Sequence, residues 1–409
     1  MYLTFAWRYF KAKKSTNAIN IIAWVSVLAI AVGTASLIIL LSVFNGFEDL
    51  VKSLYADFYT DLKVSAVKGN SIVFSGKQLR ELKGIPEVKA YSLVMEEKAL
   101  LQNGEPLSLV YLKGVDSEYV HVTGVANKLI KGKFNLGNAD TPAAVLGSGI
   151  ESALEIQADR SIVPLTIYLP KRGININTAD PIQSLSSGNI YTSGTFAIQQ
   201  DFDNKYVITN IDFVKRMLNL PKDEFGGVEI TLKNAQQDLE VKKKLEQIFG
   251  ADYLVQTRYE QNKSLYSVMS VEKWAIYIML SLILVVAAFT MIGALTMLVL
   301  EKQKDIELLK ALGTNNSLIL KIFLSEGLLL ATVGGVLGVG LAILICWLQV
   351  TYKLVKLQGS SFLIDYYPVK MVAGDFFLVL STVFLVAFIA SWFPALKAGK
   401  QAIELKSSG

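Results

Sequence analysis

Charged residues leave four long gaps in this chain, and those gaps decide what it can fold into. The runs at about Asn20–Asn45, Trp274–Leu300, Gly327–Tyr352 and Phe376–Leu396 are apolar and contain no Asp, Glu, Lys or Arg. A bilayer core about 30 Å thick needs roughly 20 apolar residues in a helix, and each run is long enough. The first run is separated from the second by the ordinary polar stretch Gly46–Lys273. The expected fold is therefore a membrane α-helical protein with four transmembrane helices in a 1 + 3 layout. A large α+β domain is inserted between the first two helices.

Composition agrees: 52% hydrophobic residues and a mean hydropathy of +0.41 are higher, and 18% charged residues lower, than a water-soluble globular chain carries. A cleavable signal peptide has an apolar region of about 7–15 residues. The first run is longer and reads as a retained signal-anchor.

Sidedness follows from the short flanks. Arg8, Lys11, Lys13 and Lys14 precede the first span, Lys302, Lys304, Lys310 and Lys321 follow the second, and Lys397, Lys400 and Lys406 follow the fourth. Only Lys353, Lys356 and Lys370 lie between the third and fourth. Basic residues collect on the cytoplasmic side, so both termini are expected there and the large domain outside. Gly46–Lys273 holds 26 basic and 28 acidic residues, which leaves the net charge of +5 to the cytoplasmic flanks. That distribution argues against nucleic acid as a partner. The single cysteine, Cys346, rules out a disulfide within the chain and makes a cysteine metal cluster implausible.

Along the chain, residues 1–19 mix aromatics with basic residues and read as an interfacial helix on the inner leaflet. Phe47, Leu50, Val51, Leu54 and Phe58 recur at helical spacing, which extends the first span into a stalk, matched by Arg258–Lys273 before the second. Strands are expected near Leu62–Val67, Val88–Val94, Leu107–Lys113 and Val228–Lys233. Helices are expected near Lys77–Lys83, Pro142–Leu154, Asp212–Leu220 and Ala235–Phe249, the last with Asn234 as its N-cap and Gly250 beyond its end. Val120–Gln200 is richer in Gly, Thr and Ser and reads as an inserted, largely β subdomain. Within it, Gly173–Gly188, with Asp180-Pro181, is a long turn-rich loop.

The chain contains no G-x-x-x-x-G-K-[ST] phosphate loop, no H-E-x-x-H and no G-x-S-x-G. If ATP drives it, ATP and magnesium sit on another chain, and no cofactor is expected here. With His121 the only histidine, a histidine-based catalytic centre has little support. Glu301–Gly313 reads as a short amphipathic cytoplasmic helix with Ile306, Leu309 and Leu312 on one apolar edge, ending at Gly313. It either lies on the membrane or docks in a groove of a cytoplasmic ATPase; Asp305 belongs to the same segment. Gly334-x-x-x-Gly338 and Ala331-x-x-x-Gly335 allow close helix packing. Glu326 lies at the start of its span; an ionisable group is costly at depth and often functional, but at the interface solvent or Lys321 would satisfy it, which favours a structural role.

Asn45-Gly46-Phe47-Glu48, within Leu41–Glu48, resembles the signature of lipoprotein-releasing ABC permeases of the LolC/LolE type. Arg8-Tyr9 and Glu301–Gly313 match the same pattern. Glu326-Gly327 and Phe393-Pro394-Ala395 resemble the wider MacB/FtsX-like permease superfamily. The resemblance runs over essentially the whole chain. It implies a multi-pass bacterial inner-membrane permease that works with a cytoplasmic ABC ATPase dimer and a second permease, either a copy or a relative. It further implies a lipoprotein drawn from the outer leaflet of the membrane lipid and a periplasmic chaperone that receives it. The outer domain would combine a porter-like α/β part with the inserted β-rich subdomain.

Extraction of acyl chains needs apolar walls. Gly33, Ser36 and Leu40 in span one and Met279, Val286 and Phe289 in span two are candidates for such a face or for a dimer seam. Gly173, Asp180, Pro181 and Gly188 mark the candidate chaperone loop. Two other readings share the scaffold: MacB-like efflux of other cargo, and FtsX-like signalling to a cell-wall hydrolase.

Overall fold

The computed structural model describes residues 17–171, 185–357 and 364–400. Contacts divide the chain into an α/β unit within Val51–Tyr266 and a helical unit formed by the segments on either side. The first helix, α1 (Asn17–Phe58), runs from one into the other without a break.

In the α/β unit, β1 (Leu62–Ala66) and β2 (Ile72–Val73) lead into α2 (Gly76–Lys83), whose first turn is closed by a reciprocal cap between Ser75 and Gln78. Then come β3 (Val88–Gln102), β4 (Leu107–Val115), β5 (Leu129–Gly132), β6 (Ala143–Gly147), β7 (Leu165–Pro170), β8 (Leu185–Phe196) and β9 (Tyr206–Asn210). The unit closes with β10 (Glu224–Phe225), β11 (Gly227–Leu232), α3 (Asp238–Phe249) and β12 (Tyr253–Thr257). Asn234 caps a 3₁₀ turn, Ala235–Gln237, just ahead of α3, and Gly250 ends α3 at φ +83°.

Two cores are built on these elements. Strands β12, β1, β11 and the first half of β3 form an antiparallel sheet. Leu62, Val64, Val228 and Ile230 of that sheet pack on Leu82 of α2 and Val241, Leu245 and Phe249 of α3. The second half of β3 pairs with β4, β4 with β9, β9 with β6, β6 with β8, β8 with β7, and β7 again with β3. That ring is a closed barrel, filled by Met95, Leu101, Leu112, Leu146, Ile167, Ile190 and Val207.

The sequence placed a separate subdomain at Val120–Gln200. The barrel instead recruits β4, β9 and half of β3 from outside that range, and β3 belongs to both cores. Pro142–Leu154 is likewise not one helix. Ala143–Gly147 is a strand paired on both edges, and only Ser148–Ala153 is helical. Two-sided pairing in the barrel wall outweighs the local helical pattern.

In the helical unit, α4 (Lys263–Glu301), α5 (Gln303–Ala311), α6 (Asn316–Tyr352) and α7 (Ala373–Lys400) follow in order. Among the described residues four helices, α1, α4, α6 and α7, are long and apolar enough to cross a membrane. Their shared core includes Leu37, Leu41, Leu284, Met291, Phe323, Leu330, Val379 and Val383. Small residues set the approach of α6 to α1. A β-carbon at Gly334 would lie 2.9 Å from Ile30 Cβ, and one at Gly338 would lie 2.6 Å from the Ala31 carbonyl oxygen. Glu326 is not at a solvated boundary: it is buried in α6 beside Gly327, whose own approach is to Ser391 of α7.

Candidate functional site

Asn45, Gly46, Phe47 and Glu48 lie in α1, and the first three meet partners from distant parts of the helical unit. The Asn45 amide donates to Asp375 Oδ2 at 2.5 Å, and its carbonyl accepts from Lys273 Nζ at 2.8 Å. Lys273 also lies 3.4 Å from Asp375 Oδ1. One asparagine thus bridges a cation from α4 and an anion from α7. Asn45 is 5% exposed and Asp375 9%. Charges so placed are retained only when paired and hydrogen-bonded.

The hairpin before α7 is clamped onto the same point. A β-carbon at Gly46 would sit 2.3 Å from the Pro368 carbonyl oxygen, so the backbones touch only because this residue is glycine. The Lys370 amide donates to the Ser42 carbonyl at 2.9 Å, Lys370 Nζ pairs with Asp49, and Phe47 packs edge-on to Tyr367 with ring centroids 5.7 Å apart. The hairpin itself is held by the Gln349 amide. It donates to the carbonyls of Val355 and Tyr367 and accepts from the Val355 N–H. Lys273 and Asp375 escaped the sequence reading. Their signal is that each is the last charge before an apolar run, with opposite sign.

The α5 segment differs from the sequence expectation. Ile306 is buried in the helical core, and Leu309 is half-buried. The open apolar pair is Leu308, 65% exposed, and Leu312, 76% exposed, one turn apart. Asp305 pairs with Lys302 at 3.1 Å, Gly313 takes φ +88°, and Lys310 Nζ donates to the Gly399 carbonyl at 2.9 Å. The apolar edge Ile306–Leu309–Leu312 is therefore split, because packing against the spans takes the first residue.

The candidate acyl-chain residues also divide. Gly33 is buried, and a β-carbon there would lie 2.8 Å from Leu284 Cδ2, which makes it a packing contact between α1 and α4. Ser36 is half-buried. Met279, Val286 and Phe289 are exposed together on α4. Leu40 is exposed beside an apolar groove of about 390 Å³ that includes Val43, Leu348, Leu354 and Tyr367. Of the candidate chaperone loop, Gly173, Asp180 and Pro181 lie outside the described residues, as does the expected interfacial helix through residue 16. Gly188 is not in a loop: it is in β8, paired with Ile167.

Where the α/β unit's two cores meet, Lys113 Nζ is 2.7 Å from Glu229 Oε1, and both side chains are buried. Burial pushes the Lys113 ammonium down. Glu229 and neighbouring acidic groups outweigh it and hold the group above the ordinary lysine value, so it stays charged. The rings of Phe58 and Tyr119 stand 4.8 and 5.1 Å from it. Burial also pushes the Tyr119 hydroxyl up to about 12.

Two family models match the chain: the MacB-like periplasmic core domain over residues 23–170, and the FtsX-like permease C-terminal over residues 277–403. The lipoprotein-releasing system transmembrane protein LolC of Neisseria meningitidis is 25% identical, over 96% of this chain and 95% of its own. The lipoprotein-releasing system transmembrane protein LolE of Haemophilus influenzae is 27% identical over 98% of both chains. Among solved structures, the periplasmic region of MacB from Actinobacillus actinomycetemcomitans covers 53% of this chain and 98% of its own, at 11% identity and a TM-score of 0.36. The chain thus carries matches to both parts of a MacB/FtsX-like permease and is similar to LolC/LolE-type permeases over nearly its whole length.

Proposed function

We propose that this chain is the permease subunit of an ATP-driven complex that releases lipoproteins from the outer leaflet of the bacterial inner membrane to a periplasmic chaperone. The observation that carries this reading is the similarity to LolC and LolE over nearly the full length of all three chains. Both termini are cytoplasmic, and the α/β unit is periplasmic, in the 1 + 3 arrangement. ATP and magnesium are bound by a separate ATPase dimer, which docks on Leu308 and Leu312 of α5. A second permease, identical or related, completes the complex.

Cargo acyl chains bury against the exposed apolar face of α4 at Met279, Val286 and Phe289. Each buried methylene contributes about 0.8 kcal/mol, so release needs an energy source. Closure of the ATPases reaches the outer unit through α1 and α4, which are continuous helices of 42 and 39 residues. The Asn45–Lys273–Asp375 network holds these two helices and α7 in register during the stroke. The segment after β7 recruits the chaperone. Deleting residues 173–184, which spares β8, abolishes chaperone capture and leaves ATPase assembly intact; normal capture excludes that role.

The main test is depletion followed by membrane fractionation. Outer-membrane lipoproteins should accumulate in the inner membrane. Undiminished export in a cell with no second release system refutes the proposal.

A further inference from the structure

Strand β3 changes partners along its length. One edge is paired with β11 up to Val94 and with β7 from Leu100, while the opposite edge is paired with β4 from Val94 to Gln102. Between Val94 and Leu100, β3 therefore has a ladder partner on one edge alone among the described residues.

Each side of the gap has a cause. Gly226 donates its N–H to the Val94 carbonyl at 2.8 Å, but the preceding residue, Phe225, is turned away to pair with Ile72. On the other side β7 ends at Pro170, which has no N–H to carry the ladder on. The Val94 carbonyl faces the gap, so by the two-residue alternation of a strand the main-chain groups of Glu96 and Lys98 face it too.

A side chain lies against the open edge. The Lys98 N–H points at Glu97 Oε1, 3.3 Å away, and the same carboxylate lies 3.5 Å from Asn70 Nδ2. Glu97 thus stands where a strand carbonyl would stand. The space beside it is a cleft of about 440 Å³ lined by Lys63, Ser65, Asn70, Glu96, Lys98 and Gln256, among others. Lys63 and Lys98 balance Glu96 and Glu97, so neither a polyanion nor a polycation is complementary to it. An uncharged main chain, with alternating donors and acceptors, is. From Val94 to Leu100 the edge is about 20 Å long at ~3.3 Å per residue, room for an added strand of roughly four residues.

We propose that the Glu96–Ala99 edge accepts a short, uncharged, extended segment of a second polypeptide as an added strand, displacing the Glu97 carboxylate. Nothing in this geometry depends on the permease reading. Strand addition draws affinity from main-chain hydrogen bonds and is open wherever a sheet edge is left unpaired.

The test uses the full-length protein in lipid nanodiscs and a fluorescent, end-blocked peptide of Ser, Thr and Gly, followed by anisotropy. Saturable binding is expected. Lys98→Pro should weaken it by about tenfold or more, since it removes a donor on the open edge, whereas Lys98→Ala should keep it. The Lys98 N–H faces away from β4, so proline there costs no existing ladder bond. Ser65→Trp, which fills the cleft from β1, should also abolish binding and serves if the proline variant fails to fold. Glu97→Ala should tighten it. A probe N-methylated at its central amides should not bind. Absence of saturable binding, or equal binding of the N-methylated probe, or equal binding by both the Lys98→Pro and Ser65→Trp proteins, overturns the proposal.

Discussion

Gly46 and Gly293 both sit in long helices, yet their surroundings make them opposites. A β-carbon at Gly46 would strike the Pro368 backbone, whereas one at Gly293 meets no atom within 4 Å. Gly46→Ala should therefore displace the hairpin and cost about 1–3 kcal/mol. Gly293→Ala should be neutral or stabilise by about 0.5–1 kcal/mol through helix propensity. Thermal unfolding of the two purified variants in one detergent separates these outcomes.

Glu260 offers a second residue-scale check. Burial pushes its carboxyl up, but Lys242 at 2.6 Å and the Thr257 N–H at 2.9 Å outweigh this and hold it below the ordinary value of 4.5. A group depressed in the fold contributes stability above its unfolded value, and that contribution is lost as pH falls through the folded one. Glu260→Gln should then lower the unfolding temperature at pH 7 and have a smaller effect in acid below that range. An equal loss at both pH values would remove ionisation from the explanation.

At the scale of elements, α5 shows how tertiary packing rewrites an amphipathic pattern. Ile306 and Leu312 share an edge in the sequence, but one is buried in the core and the other is open. Leu308→Asp and Leu312→Asp should leave the fold intact and lose co-purification with the ATPase. Ile306→Asp should instead destabilise the chain, because it buries an unpaired carboxylate. Loss of ATPase from the Ile306 variant alone would relocate the docking surface. The α2 and α3 helices and the strands β1, β3, β4 and β11 were legible from alternation and caps such as Asn234 and Gly250. Strand β6 was not, since Ala143–Gly147 becomes a strand only because β8 and β9 pair with it from 40 or more residues away.

For the whole molecule, α1 and α4 are each one continuous helix, of 42 and 39 residues. A triple-glycine insertion after Leu50 should leave ATPase binding and hydrolysis in place while abolishing lipoprotein release, measured in reconstituted vesicles. Release at the normal rate would show that no helical transmission is needed. A second test concerns the buried Lys113–Glu229 pair of the α/β unit. Lys113→Ala leaves buried Glu229 with Lys63 alone, 4.0 Å away, and should cost about 2–4 kcal/mol, while replacing Lys113 and Glu229 by apolar residues of similar volume should cost less.

The sequence by itself determined the four apolar helices, the polar insert between the first and second, and the Asn45–Glu48 signature. Hydropathy, charge bias and capping are local properties, readable over one or two turns. Only the tertiary structure decided that β3 serves two cores, that six strands close a barrel, that Asn45 joins Lys273 to Asp375, and that Leu308 rather than Ile306 is open. Each of these depends on which distant segment arrives at a given edge or face. Pairing across hundreds of residues leaves no periodicity in the chain that undergoes it.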